Sequence, residues 1–125
     1  MDGALSQTSG AVRSIDHAAP RRVYLDNHGE IFCLVSAEDY AWATQWRWKW
    51  RWDKRKKKRY AQRNTTINGV RVTLFLHKEI LARTGKIRPS LFHTIGDHGD
   101  GDSLNNQRDN LAWVTPSQNR KTAKR

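Results

Sequence analysis

The stretch Trp46-Arg-Trp-Lys-Trp-Arg-Trp52 constrains the fold more than any other, because indole and cation alternate through all seven residues. A period of two places the four tryptophans on one face of a strand and Arg47, Lys49 and Arg51 on the other. Aromatic stripes pack, so Trp46 and Trp48 are expected in the core. For Trp50 and Trp52, nearer the strand end, core packing and a platform for nucleobases both stay open. The cations opposite them are either solvated or laid along phosphates.

The positive charge continues past this strand. Arg51 to Arg59 holds seven basic residues against one acidic, +6 of the chain's net +11. Neither a helix nor a buried strand concentrates like charge in this way, so the segment reads as a loop or hairpin tip with an anionic partner. Nucleic acid is the leading candidate, since cations gain affinity by releasing counterions from a phosphate backbone. Lys54, Arg55, Lys56, Lys57, Lys58 and Arg59 are the expected contacts, with Arg47, Lys49, Arg51 and Arg71 extending the surface.

With 125 residues the chain is long enough for one domain with a modest core. It has no apolar run able to span a bilayer, no signal peptide, and no motif for an organic cofactor, so a cytoplasmic protein without a membrane partner is expected. The single Cys33 excludes an internal disulfide and a multi-cysteine zinc site, and it reads as a space-filler.

Three regions follow in order. Residues 1–20, rich in Ala, Ser and Gly, form an expected flexible tail that includes His17. Residues 21–88 form a basic, Trp-rich hairpin and helix region for contacting DNA. There Val23–Leu25 and Ile31–Val35 should pair around Asn27-His28-Gly29, with His28 an ordinary turn residue. Ser36 should cap a helix, with Asp39 as the acidic partner of a capping box. Tyr60–Ile67 and Val70–Leu76 should form a hairpin around Asn68-Gly69, with Val70, Val72 and Leu74 on its buried face. A helix from His77 should end at Gly85. Residues 89–125 begin with Leu91–Ile95 as an expected strand. His93 reads as a partner to phosphate or solvent.

The densest chemistry lies in Asp97–Asn119, DHGDGDSLNNQRDNLAWVTPSQN. An Asp-His pair leads into a polar loop whose turn Asp100 and Asp102 should cap. The apolar run Leu111–Val114 follows, and Thr115-Pro116 has the chemistry of a helix start. A helix beginning there carries Asn119 in its first turn, directed back towards Asp97 and His98. A carboxylate and an amide beside a free imidazole suit a hard divalent cation and a general base.

At these residues the chain resembles the HNH endonucleases, specifically their phage and intron homing branch. The resemblance rests on Asp97-His98, Asn110-Leu111, Trp113 and Asn119, with twelve positions from His98 to Asn110 and twenty-one to Asn119. It extends more loosely over residues 22–125. Gly96 and Gly99 stand where the family commonly has apolar residues. The resemblance implies an α+β fold of small antiparallel hairpins and short helices ending in a ββα-metal motif. It implies Asp97 and Asn119 as ligands of Mg²⁺ or Mn²⁺, His98 as general base, and Asn110 as the brace of the loop. His77 would hold its helix against the core. The implied activity is hydrolysis of DNA phosphodiester bonds, with a monomer nicking one strand and a dimer or repeated visits needed to cut both. Because the basic run contains none of the catalytic trio, grip and chemistry should be separable. A non-catalytic DNA- or RNA-binding protein that keeps the fold is the alternative.

Overall fold

In the computed structural model, which describes residues 19–122, Arg21–Tyr24 (β1) and Phe32–Val35 (β2) pair antiparallel around a turn held by one carboxylate. Asp26 accepts the backbone N–H groups of Gly29, Glu30 and Ile31, and Gly29 takes a left-handed φ of 72°. His28 sits in this turn. Of the expected tail, residues 1–18 lie outside the described residues.

Helix α1 (Ala37–Ala43) starts after Ser36, but not through a capping box. Ser36 Oγ instead accepts the backbone N–H of Arg108, and the Asp39 side chain turns into the interior. The Trp46–Trp52 run is not one strand either. Strand β3 begins only at Lys49 and ends at Asp53. Before it the chain is still closing α1, with Gln45 and Trp46 donating backbone N–H groups to Trp42 and Ala43. Trp48 Nε1 donates to the same Ala43 carbonyl at 2.8 Å, which draws this indole fully into the core. Trp46 is left 36% exposed, edge-on to both Trp42 and Trp48 and capped by the Arg63 guanidinium at 4.4 Å, so its expected place in the core is corrected. Trp50 and Trp52 are exposed.

Strand β3 runs into β4 (Lys58–Ile67) through a tip at residues 54–57, as the charge density required. Asp53 builds this tip by accepting the N–H groups of Arg55 and Lys56. Strand β5 (Val70–Phe75) completes a three-stranded antiparallel sheet. Between β4 and β5 both Asn68 and Gly69 have positive φ, 51° and 78°, which matches the twist of the flanking strands. Val70 is exposed, because this end of the sheet extends beyond the core.

Helix α2 (Leu76–Thr84) ends on Gly85 in the left-handed conformation. The next strand, β6, is Ile95–His98 rather than Leu91–Ile95. Leu91 and Phe92 occupy a Ser90-centred turn, 91% and 75% exposed, and His93 Nδ1 lies 2.7 Å from Ser90 Oγ. After β6 come β7 (Asn105–Asn106), a 3₁₀ turn (Arg108–Asn110), β8 (Leu111–Val114) and α3 (Pro116–Thr122). β6 pairs antiparallel with β8, while β7 adds a short parallel bridge to β2. The chain is thus α+β, with small, mainly antiparallel sheets and short helices. Among the described residues no helix is long and apolar enough to cross a membrane.

The core draws on every region: Val23, Cys33 and Val35, then Trp48 and Ala61, then Leu76, Ile80, Leu81 and Leu111. Burial pushes the Cys33 thiol up to about 12, consistent with a space-filling role. Within this apolar mass sits the fully buried Asp39 carboxylate. Arg83 of α2 donates Nε to it at 3.0 Å, and Arg108 donates Nε at 3.0 Å and Nη2 at 2.6 Å. Glu38 adds an exposed contact to Arg108 Nη1. Removing a buried carboxylate from its cations leaves them unpaired and typically costs about 3–5 kcal/mol, whereas an exposed ion pair contributes about 0–1 kcal/mol. Urea denaturation should therefore show Asp39→Ala losing about 3–5 kcal/mol and Glu38→Ala less than about 1 kcal/mol. Equal losses would show that the buried carboxylate and its two arginines do not anchor α1.

Candidate functional site

The site is built on the β6–β8 ribbon and the helix that follows it. The register pairs Gly96 with Trp113, Asp97 with Ala112 and His98 with Leu111. Gly96 is there because of what lies above it. A Cβ at this position would come within 2.9 Å of His77 Cδ2 and 3.2 Å of Leu81 Cδ1, so α2 could not pack so closely on β6.

The loop between the strands is held by its own polar side chains. Asn110 Oδ1 accepts the Asp100 N–H, its Nδ2 donates to Asp100 Oδ1 and to the Asn105 carbonyl, and its carbonyl accepts the Gly99 N–H. Asp100 and Asp102 in turn accept the N–H groups of Asp102 and Leu104. Burial raises the Asp100 pKa, but hydrogen bonds from Asn105, Asp102 and Asn110 outweigh it and hold the carboxyl below its usual range. Asn110 therefore ties the start of the loop to Asn105 and to its own strand end.

Helix α3 starts with a reciprocal cap: Gln118 N–H donates to Thr115 Oγ1, and Thr115 N–H donates to Gln118 Oε1. This fixes Asn119 in the first turn. Asp97, His98 and Asn119 consequently line one pocket of about 230 Å³. The same pocket is lined by Arg55, Lys56, Lys58 and Tyr60, so the tip of the basic hairpin stands beside the carboxylate and imidazole rather than apart from them. Lys58 Nζ reaches over to donate to the Gly101 carbonyl at 2.9 Å, and Ser103 Oγ donates to the Arg59 carbonyl.

The His98 ring is buried, and its Nε2–H donates to Asn106 Oδ1 at 2.8 Å. An amide oxygen only accepts, so this bond places the proton on Nε2 and leaves the Nδ1 lone pair as the basic position. Burial pushes the His98 pKa down, against the opposing pull of Asn106, Asp97 and Asp100. Burial thus favours the neutral form of the imidazole. Asn106, 1% exposed, also hydrogen-bonds the Cys33 thiol. Tyr60 packs 6.0 Å from His98 and 5.7 Å from His77, and burial raises its hydroxyl pKa, with Asp53 and Asp97 adding to the effect. The His77 ring lies 4.8 Å from that of His98, tilted by 47°, and burial, then the nearness of His98, pushes its pKa down to about 3. Its position between Gly96 and Tyr60 is that of a packing residue.

The other expected contacts fall in four places. Arg51 and Lys54 line a cleft beside the pocket, and Lys57 and Arg59 a groove along Gly101–Leu104. Arg47 and Lys49 line a separate groove with Asp26, His28 and Trp50. Arg71 is exposed opposite Thr66, roughly 27 Å along β4 from Lys58 at 3.4 Å per residue. It is not brought to the pocket.

Among the described residues no group of three or more His, Cys, Asp or Glu side chains is placed to hold a metal ion. Asp97 and Asn119 can offer one carboxylate and one amide oxygen, a donor set that fits Mg²⁺ or Mn²⁺ sharing its shell with substrate oxygens rather than Zn²⁺. Neither Asn106 nor Tyr60 emerges from the sequence as a site residue. Asn106 is one of several loop asparagines, and only the β2–β7 bridge distinguishes it. Against protein-family models, curated proteins and solved structures the chain has no match.

Histidine burial has a measurable consequence. The folded pKa of His77 lies below the ordinary value of about 6.5, so the unfolded chain binds more protons between about 6.5 and 3. Stability is full above this window and should fall on acidification, with this residue adding a slope of up to about 1.4 kcal/mol per pH unit. His77→Phe should flatten the dependence of unfolding free energy on pH between 6 and 4 without abolishing it, since His98 shifts in the same direction. An unchanged slope would show that His77 is not neutralised by folding.

Proposed function

We propose that the protein is a metal-dependent DNA endonuclease of the HNH type, with β6, the braced loop, β8 and α3 as its ββα-metal motif. The observation that carries this reading is the convergence of Asp97, His98 and Asn119 on one pocket walled by cations. A chain that only gripped phosphates would have no use for a neutral imidazole with its Nδ1 lone pair free of the Asn106 bond.

Each residue then has a task. His98 Nδ1 takes the proton of the attacking water, and Asn106 keeps Nε2 protonated and the ring in orientation. Arg55, Lys56 and Lys58 bind the scissile phosphate and its neighbours. Asp97 and Asn119 would hold Mg²⁺ or Mn²⁺, which when bound would offset charge on the phosphorus oxygens and on the leaving 3′ oxygen. Asn110 keeps the loop in shape. One base serves one strand, so a monomer nicks.

The deciding assay is relaxation of supercoiled plasmid. Nicking should stop with EDTA and return with Mg²⁺ or Mn²⁺, and His98→Ala should lower turnover by about 10²- to 10⁴-fold with DNA affinity near wild type. Activity that persists in EDTA would sink the metal reading. A collapse of affinity in His98→Ala would make that residue structural.

The hairpin divides into residues for grip and residues that also serve chemistry. Lys54→Gln and Lys57→Gln should weaken binding to all sequences alike, flattening the slope of log K against log salt by about 0.9 for each phosphate no longer neutralised. The single-turnover rate at saturating DNA should hold. Lys58→Gln, inside the pocket, should lower that rate as well. A salt slope unmoved by all three would shift the grip to Arg47, Lys49 and Arg51.

A further inference from the structure

The basic hairpin walls a second cavity, a cleft of about 510 Å³ that shares Arg55 and Tyr60 with the pocket of Asp97 and His98. Its composition differs from that of a phosphate groove. The register pairs Arg51 with Tyr60 across β3 and β4, and Gln62 with Phe75 across β4 and β5, so Arg51, Tyr60 and Phe75 share one face of the sheet. The Tyr60 and Phe75 rings meet edge to face at 6.5 Å, and neither is fully buried. Arg51, Lys54 and Arg55 stand around them with the exposed Trp52 indole, and the one acid, Asp53, is occupied in the hairpin turn. From Tyr60 the aromatic contact continues to His98 at 6.0 Å.

A base-paired duplex cannot use this cleft well. It turns phosphates outward and keeps its bases stacked inside, so it would meet the cations and leave the rings without a partner. An unstacked nucleotide satisfies both halves, with its base on the rings and its phosphates on the cations. The volume falls within the range of about 300–1,000 Å³ typical of small-molecule sites, ample for one nucleotide.

We propose that this cleft binds an unpaired nucleotide next to the scissile phosphate, so that the favoured substrate is DNA with an extrahelical or single-stranded base. This rests on the nuclease reading for the identity of the neighbouring pocket, but the binding itself is tested without cleavage.

The experiment uses the full chain carrying His98→Ala and two oligonucleotide duplexes of one sequence, one fully paired and one with a single unpaired 5-iodouracil. Affinity at fixed salt should favour the unpaired substrate by about 5- to 150-fold, the range that stacking one base on an aromatic side chain spans. Irradiation should crosslink the unpaired base to Tyr60 or Phe75, as mapped by mass spectrometry, and Phe75→Leu should reduce the preference. Equal affinities overturn the proposal, and so does a crosslink to Trp50, which lines a different groove. The crosslink map needs no variant in the cleft, so a Phe75→Leu chain that failed to fold would leave the test intact. Wild-type protein with Mg²⁺ separates the two readings. No cleavage despite a crosslink in the cleft sinks the nuclease alone, and equal cleavage of both duplexes with no crosslink sinks the cleft alone.

Discussion

One buried carboxylate holds this fold together. Asp39 is fully buried, and it binds an arginine from α2 and another from the 3₁₀ turn before β8. Three segments distant in sequence therefore meet at one charge, and moving α1 away would strip the buried carboxylate of both arginines. Arg108 lies two residues before Asn110, so the anchor transmits directly to the loop that Asn110 braces. Lys86 fastens the same turn from outside, donating to the carbonyls of Arg108 and Leu111.

On that support the His98 ring is enclosed on three sides. Asn106 takes one ring nitrogen, and the His77 and Tyr60 rings pack beside it at tilted angles. The glycine at position 96 makes this possible by letting α2 sit directly on β6. What looks in isolation like a weak strand residue is the condition for packing two imidazoles together. The proposed base is thus kept neutral by its surroundings, while the hairpin supplies the positive charge that a phosphate requires.

Local chemistry was legible in the sequence wherever a short segment decides its own conformation. Asn68-Gly69 closes a hairpin, Gly85 ends a helix, and Thr115-Pro116 starts one, because each depends on backbone preferences within a few residues. The turns that Asp100 and Asp102 cap are likewise local. The failures arise where a tertiary partner, or the lack of one, overrides the local pattern. Asp39 has the spacing of a capping residue, but two arginines more than forty positions away claim it. Trp48 leaves the strand pattern to reach the end of α1, and Leu91 and Phe92 make an apolar run with no strand beside it. Asn106 acquires its importance only through β2, which no spacing rule within the loop reveals.

That last contact also governs when the site can exist. The parallel bridge joins Leu34 to Asn105 and Val35 to Asn106, about seventy residues apart along the chain. Contacts of such long range form late, because the loop they close must lose its freedom before the bond can stabilise anything. The β6–β8 ribbon and its Asn110 brace can assemble from neighbouring residues, while the Asn106 amide reaches its final place only when the first hairpin docks. A partly folded chain would therefore carry every proposed metal ligand and yet hold its imidazole in no fixed tautomer. Folding to completion, rather than synthesis of the motif, is the event that arms the proposed base.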